Sequence, residues 1–175
     1  DGANNVAIGY NALSTEATGH GAVAIGAFAL EVLNAGNTYN TAVGFNAGAI
    51  VSTGIQNTIV GAYAGDALTT GSQNIAIGYN ALSTEDTRGY NVAIGSYALQ
   101  DLNSAADAYN VAIGYSAAKE MTSGTYNTVL GAQAMSTGIT TGDYNIAIGY
   151  QAGNAMTSGT LNTLVGAFAG DALTT

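Results

Sequence analysis

Short apolar runs punctuate the chain at nearly even intervals, all but one opened by Asn and each closed by Gly, with polar, Gly-rich stretches between them. Segments such as "NVAIG", "NTIVG" and "NTLVG" place β-branched residues between a turn-forming Asn and a terminating Gly, a pattern that predicts a short strand. Aligned on that Gly, the runs end at Gly9, Gly26, Gly44, Gly61, Gly78, Gly95, Gly114, Gly131, Gly149 and Gly166, with spacings of 17 to 19 residues. Ile, Val or Leu always precedes the Gly and Ala always stands three residues after it. Asn stands four residues before it at Asn5, Asn40, Asn57, Asn74, Asn91, Asn110, Asn127, Asn145 and Asn162, with Ala22 the exception. The unit reads N-x-x-[ILV]-G-x-x-A.

Ten strands at even spacing predict a solenoid in which coils stack in parallel about 4.8 Å apart and each motif position becomes a ladder. On this reading the Gly ladder permits a turn that other residues resist, the Ala ladder permits close approach, and the Asn side chains bond turn backbone and the next coil. Between strands two readings stay open. Several copies put an apolar residue four after the repeat Ala, as in Ala29/Leu33 and Ala64/Leu68, which suits a single helical turn; a second short strand fills 17 residues equally well. A hexapeptide β-helix is disfavoured, because the sixth places counted from Ile8 are Ser14 and His20. The expected fold is all-β: a parallel β-solenoid (β-roll) of about ten 17–19-residue coils with room for single helical turns, one repeat array over residues 1–175 cut from a longer fibrous protein.

A second period overlies the first. The residue after the Gly is aromatic in odd copies (Tyr10, Phe45, Tyr79, Tyr115, Tyr150) and small in even ones, where the aromatic slips one place to Phe28, Tyr63, Tyr97 and Phe168, with Gln133 departing. Large and small side chains of neighbouring copies should therefore dovetail, in a structural unit of about 35 residues. A thin coil buries little surface alone, and ordering its backbone costs about 1–2 kcal/mol per residue. Three chains packed side by side, burying the Ile/Val or Tyr ladders, would supply the missing burial.

Composition narrows the chemistry. Only two cations, Arg88 and Lys119, stand beside eleven carboxylates, giving a charge of −9 that argues against nucleic acid and anionic membranes. No apolar run approaches the roughly 18 residues of a membrane-spanning helix, and no Cys offers a disulfide, thiolate metal site or nucleophile. His20 alone cannot build a catalytic constellation and reads as a surface residue. Glu16, Glu31, Asp66, Glu85, Asp86, Asp101 and Glu120 fall mostly between strands and read as an acidic, solubilising face. Asp is too sporadic for a calcium array, so neither metal nor cofactor is expected. Thr41, Thr58, Thr128 and Thr163 share one register, but Val6, Ile75, Val92, Val111 and Ile146 interrupt the regular Thr array that ice binding needs. Tyr39, Tyr90, Tyr109, Tyr126 and Tyr144, each directly before a ladder Asn, form a candidate stripe for gripping sugar rings or for packing between coils or chains.

"NNVAIGYNA" at 4–12, "NIAIGYNA" at 74–81 and "NVAIGYSA" at 110–117 resemble the head repeats of trimeric autotransporter adhesins (YadA-like). "NTAVGFNAG", combined with TTG or TSG loops, is similar to repeats of phage tail fibres. The resemblance spans essentially the whole chain and implies a parallel β-roll, a homotrimer and a place on a cell surface or virion. The repeat here is longer than the adhesin's and carries the 35-residue alternation, which favours the fibre. The expected function is a non-enzymatic structural segment acting as a spacer and in host or receptor attachment. The alternative is a head module that itself binds a host glycan or matrix protein through its lateral surface.

Overall fold

The computed structural model describes residues 2–15, 19–36, 38–85 and 87–175. Ten three-residue strands follow one another: β1 (Val6–Ile8), β2 (Val23–Ile25), β3 (Thr41–Val43), β4 (Thr58–Val60), β5 (Ile75–Ile77), β6 (Val92–Ile94), β7 (Val111–Ile113), β8 (Thr128–Leu130), β9 (Ile146–Ile148) and β10 (Thr163–Val165). Each pairs in parallel with its sequence neighbours, giving one ten-stranded sheet in chain order. The register repeats without slippage, as in Ile75↔Val92, Ala76↔Ala93 and Ile77↔Ile94. Nine spacings of about 4.8 Å make a stack about 43 Å long. The chain is an all-β parallel solenoid.

The strand ends where the motif Gly turns. Gly78 has φ +133° and Gly95 φ +128°, values that L side chains rarely adopt. Beyond the Gly the backbone alternates in hand: Asn80 (φ 53°) and Leu82 (φ 51°) are left-handed, whereas Tyr79 and Ala81 beside them are not. Tyr97 and Leu99, then Ser116 and Ala118, repeat the alternation one and two coils later. A left-handed non-Gly residue costs of order 1–2 kcal/mol. The geometry aims alternate N–H groups at the coils on either side: Tyr97 N–H donates to Tyr79 O at 2.9 Å, and Leu82 N–H to Ala98 O at 3.0 Å. Ladder bonds of this kind keep the turn's amides paired and offset the local strain.

These turns correct two expectations. Among the described residues there is no helix, because a positive φ at every second residue is incompatible with helical turns; the Ala29/Leu33 spacing belongs to the alternating turn instead. Nor does a second strand form in the coil among the described residues; one three-residue strand per coil carries the sheet.

The core is narrow and built from ladders. The middle residue of each internal strand points inward, mostly as Ala (Ala24, Ala42, Ala76, Ala93), together with the motif Ala, the residue after it and the apolar residue three further on, as in Ala98, Leu99 and Leu102. Volume is exchanged between neighbouring coils. Where the inward strand residue is the bulky Ile59, the positions after the motif Ala in its own and the preceding coil are Gly65 and Gly48, and a Cβ on Gly48 would lie 2.8 Å from Ile59 Cδ1. Leu164 has the same relation to Gly153 and Gly170.

Two of the longer coils are closed by carboxylates. In the 19-residue interval, Asp107 Oδ1 accepts Gly89 N–H at 3.1 Å; in an 18-residue interval, Asp143 Oδ1 accepts the Thr125 N–H and hydroxyl at 2.7 and 2.8 Å. The added residues thereby leave the strand register intact.

Candidate functional site

The Asn ladder runs along the buried side of the strand entrance. Each rung joins two coils twice: Asn74 Oδ1 accepts Asn91 N–H at 3.0 Å, and Asn74 Nδ2 donates to Arg88 O at 3.0 Å. Asn40, Asn57, Asn110, Asn127 and Asn145 repeat the arrangement, with Gly54, Gly71, Gly124, Gly142 and Gly159 as carbonyl acceptors. Asn91 Oδ1 accepts Asn110 N–H, but its Nδ2 turns back to Gly89 O. At the ends, Asn5 bonds Gly19 O and the Ala22 N–H, while Asn162 is half-buried and bonds Thr160 O. Ala22 has no side-chain amide, so its rung lacks a side-chain hydrogen bond to the next coil. Buried and bonded on both sides, the internal amides are closed to a ligand.

The Gly ladder is closed as well. A Cβ on Gly9, Gly26, Gly44, Gly61, Gly78, Gly95, Gly114, Gly131 or Gly149 would overlap the backbone of the next coil's Gly. Only Gly166, in the last coil, faces open space.

Chemistry is therefore left to the outside. The first and third residues of each strand point outward and carry no charge, forming one ladder of Val, Thr and Ile and another of Ile, Val and Leu. With strands about 10 Å long on a 43 Å stack, this face covers roughly 400 Å², as large as the biggest apolar patches of ordinary monomers.

Two aromatic columns border it. After the Gly, the rings of Tyr10, Phe28, Phe45, Tyr63, Tyr79, Tyr97 and Tyr115 meet edge to face, with centroids 5.3–6.0 Å apart and planes 73–89° apart. Gln133 interrupts the column, and Tyr150 and Phe168 resume it at 5.3 Å. The 35-residue alternation follows from this geometry. An edge-to-face column turns every second ring by about 90°, and two backbone positions, one and two residues after the Gly, supply the two orientations.

The second column, before the Asn, is built differently. Tyr90, Tyr109, Tyr126 and Tyr144 lie parallel, with centroids 4.8, 5.1 and 5.0 Å apart and planes 14°, 6° and 0° apart. All four are left-handed, at φ 52–65°, and exposed. Tyr39 shares the position but is cut off from the stack by Gln56 and Gln73, whose amides bond each other at 3.0 Å. The internal faces of the four rings cover one another; hydroxyls and ring edges face water. Partial burial, then Asp107 and the neighbouring Tyr90 and Tyr126, raise the Tyr109 phenol above its ordinary value.

The acidic face needs one correction. Glu85 is fully buried, replacing an apolar residue of the core ladder, and its carboxylate accepts Arg88 N–H at 3.2 Å and the Ser104 hydroxyl at 3.3 Å. Glu31, Asp66, Asp101 and Glu120 are half-buried, while Glu16 and Asp86 lie outside the described residues. Burial raises the Asp66 carboxyl above its ordinary value, and its Oδ1 is buried without a hydrogen-bond partner among the described residues. His20 is half-buried, with Nδ1 accepting Ala3 N–H at 2.8 Å. Among the described residues no three His, Asp or Glu side chains converge, no cavity opens and no helix is long and apolar enough to cross a membrane. Comparison with known protein families, curated proteins and solved structures finds nothing that matches this chain.

Proposed function

We propose that the chain is a non-catalytic structural segment of a fibre on a virion or cell surface, akin to tail-fibre and YadA-like repeats, in which three copies pack in parallel through their outer sheet faces. The observation that carries this reading is the charge-free face of β-branched ladders along a narrow rod. A chain of net charge −9 repels its copies, and lateral packing along an uncharged strip buries apolar surface at low electrostatic cost. The trimer acts as a spacer that holds an attachment tip away from its base.

Native mass spectrometry and light scattering test the assembly: trimer is expected, and a stable monomer refutes it. Ile77→Lys and Ile94→Lys, on the outward strand positions, should dissociate the trimer while leaving the coil folded. The alternative, a head module gripping a glycan or matrix protein, draws on the tyrosine stripe. Sugars stack on open ring faces, and those of Tyr109 and Tyr126 are occupied by their neighbours. Glycan-array binding by this chain, lost in the Tyr109→Ala/Tyr126→Ala double variant, would favour the alternative.

A further inference from the structure

We propose that the Tyr90–Tyr109–Tyr126–Tyr144 stack is a covalent modification site, at which a one-electron oxidant such as a peroxide-fed peroxidase joins adjacent coils through carbon–carbon bonds between tyrosine rings. Each phenol gives up one electron and one proton to become a phenoxyl radical. Two neighbouring radicals combine at the carbons ortho to oxygen, and the two ring hydrogens shift to restore both hydroxyls. The pair loses two hydrogen atoms in all, which the peroxide takes up as it is reduced to water.

The geometry supplies what coupling needs. Radical coupling depends on encounter, and groups held face to face react as if at very high concentration. In this stack the planes differ by at most 14° and the ring centres are 4.8–5.1 Å apart, so successive rings lie parallel and adjacent. The rings are 42–54% exposed, open to a small oxidant and free to rotate the short distance to bonding. The other column is the internal contrast: Tyr63, Tyr79, Tyr97 and Tyr115 are adjacent at 5.4–6.0 Å, but their planes stand 80–88° apart, so successive rings are not face to face. Tyr39, beside Gly21 and Gln56, has no ring to couple with in its own column.

A coupled pair staples coils 17 to 19 residues apart in sequence. Like a disulfide, such a staple restricts the unfolded chain, and it acts on the axis along which the coils separate.

The two cations make the test direct. Trypsin can cut only after Arg88 and Lys119, giving fragments 1–88, 89–119 and 120–175. The dilute chain is oxidised with peroxidase and peroxide, denatured, digested and resolved by gel and mass spectrometry. Coupling of Tyr109 to Tyr126 joins 89–119 to 120–175, with the mass of two hydrogens lost. Coupling in the edge-to-face column, Tyr79 to Tyr97, joins 1–88 to 89–119 instead. The first product is expected, and it should vanish in Tyr109→Phe, which keeps the ring, and in chain oxidised in urea. Gln73→Tyr extends the stack past the Arg88 cut and should add the 1–88 to 89–119 product. Predominance of that second product in the unaltered chain, persistence of the first in Tyr109→Phe, or formation of intermolecular dimers alone would each overturn the assignment.

Discussion

Replacing Gly78 by Ala should cost far more than the same change at Gly166, although the two residues share one backbone conformation, φ +133° and +129°. The shared part is strain: an L residue held at that φ costs about 1–3 kcal/mol. The difference is overlap. A Cβ on Gly78 would lie 2.5 Å from Gly95 C, 2.6 Å from Gly95 O and 2.8 Å from Ser96 N, whereas one on Gly166 finds nothing nearer than Ala169 Cβ at 4.0 Å. Backbone on both sides is tied into the ladder, so the overlap adds about 1–3 kcal/mol of overpacking. Gly166→Ala should thus lose about 1–3 and Gly78→Ala about 2–6 kcal/mol, read from paired urea midpoints with amide exchange to locate the opening. Gly9→Ala separates overlap from fraying. Gly9 is in a terminal coil like Gly166, yet its Cβ would meet Gly26 O at 2.5 Å. It should therefore behave like Gly78→Ala. Equal losses at all three positions would show that the ladder is Gly for its φ alone and that the coils are not in contact there.

Asn74→Ala should cost about 2–4 kcal/mol, since it removes two bonds and strands the buried Asn91 N–H; a loss below half a kcal/mol in urea unfolding would contradict the ladder's role. Gln133→Phe should stabilise by about 0.5–1.5 kcal/mol by closing the gap between Tyr115 and Tyr150, because Phe28 and Phe168 occupy the equivalent backbone position; the thermal midpoint reads the gain. Asp66 sets a pH dependence. Its carboxyl is raised above 3.8 by burial, so its contribution to stability is fullest below that value and is lost as pH rises through the folded-state value. Asp66→Asn should accordingly be more stable than the unaltered chain at neutral pH and lose that advantage in acid; an unchanged difference would refute it.

The repeat made the strands and their parallel order legible, because Asn, Gly and Ala mark points where a side chain, a backbone hand or a volume is fixed by the next coil. The turn between strands was not legible. A spacing of four between Ala29 and Leu33 fits a helical turn and an alternating left- and right-handed backbone equally well, and only inter-coil bonds such as Leu30 N–H to Ala47 O select the second. Glu85 was hidden for a related reason. Its segment repeats that of Glu16, and nothing local signals that Ser104, nineteen residues later, provides an acceptable partner in the core. The aromatic alternation was visible as a pattern but not as a cause, since ring orientation is a property of the stack and not of one copy. Tyr39 carried the same local signal as Tyr90, and its separation from the stack depends on Gln56 and Gln73.

The edge-to-face column also bears on how such a rod changes length. Removing one coil would bring two rings onto the same backbone position and force a perpendicular pair into a parallel one, whereas removing two restores every contact. Duplication and deletion are thereby steered to steps of about 35 residues, so that related solenoids should differ in length by multiples of about 9.6 Å. Next to Gln133, where the column is already broken, a single coil can be gained without that penalty.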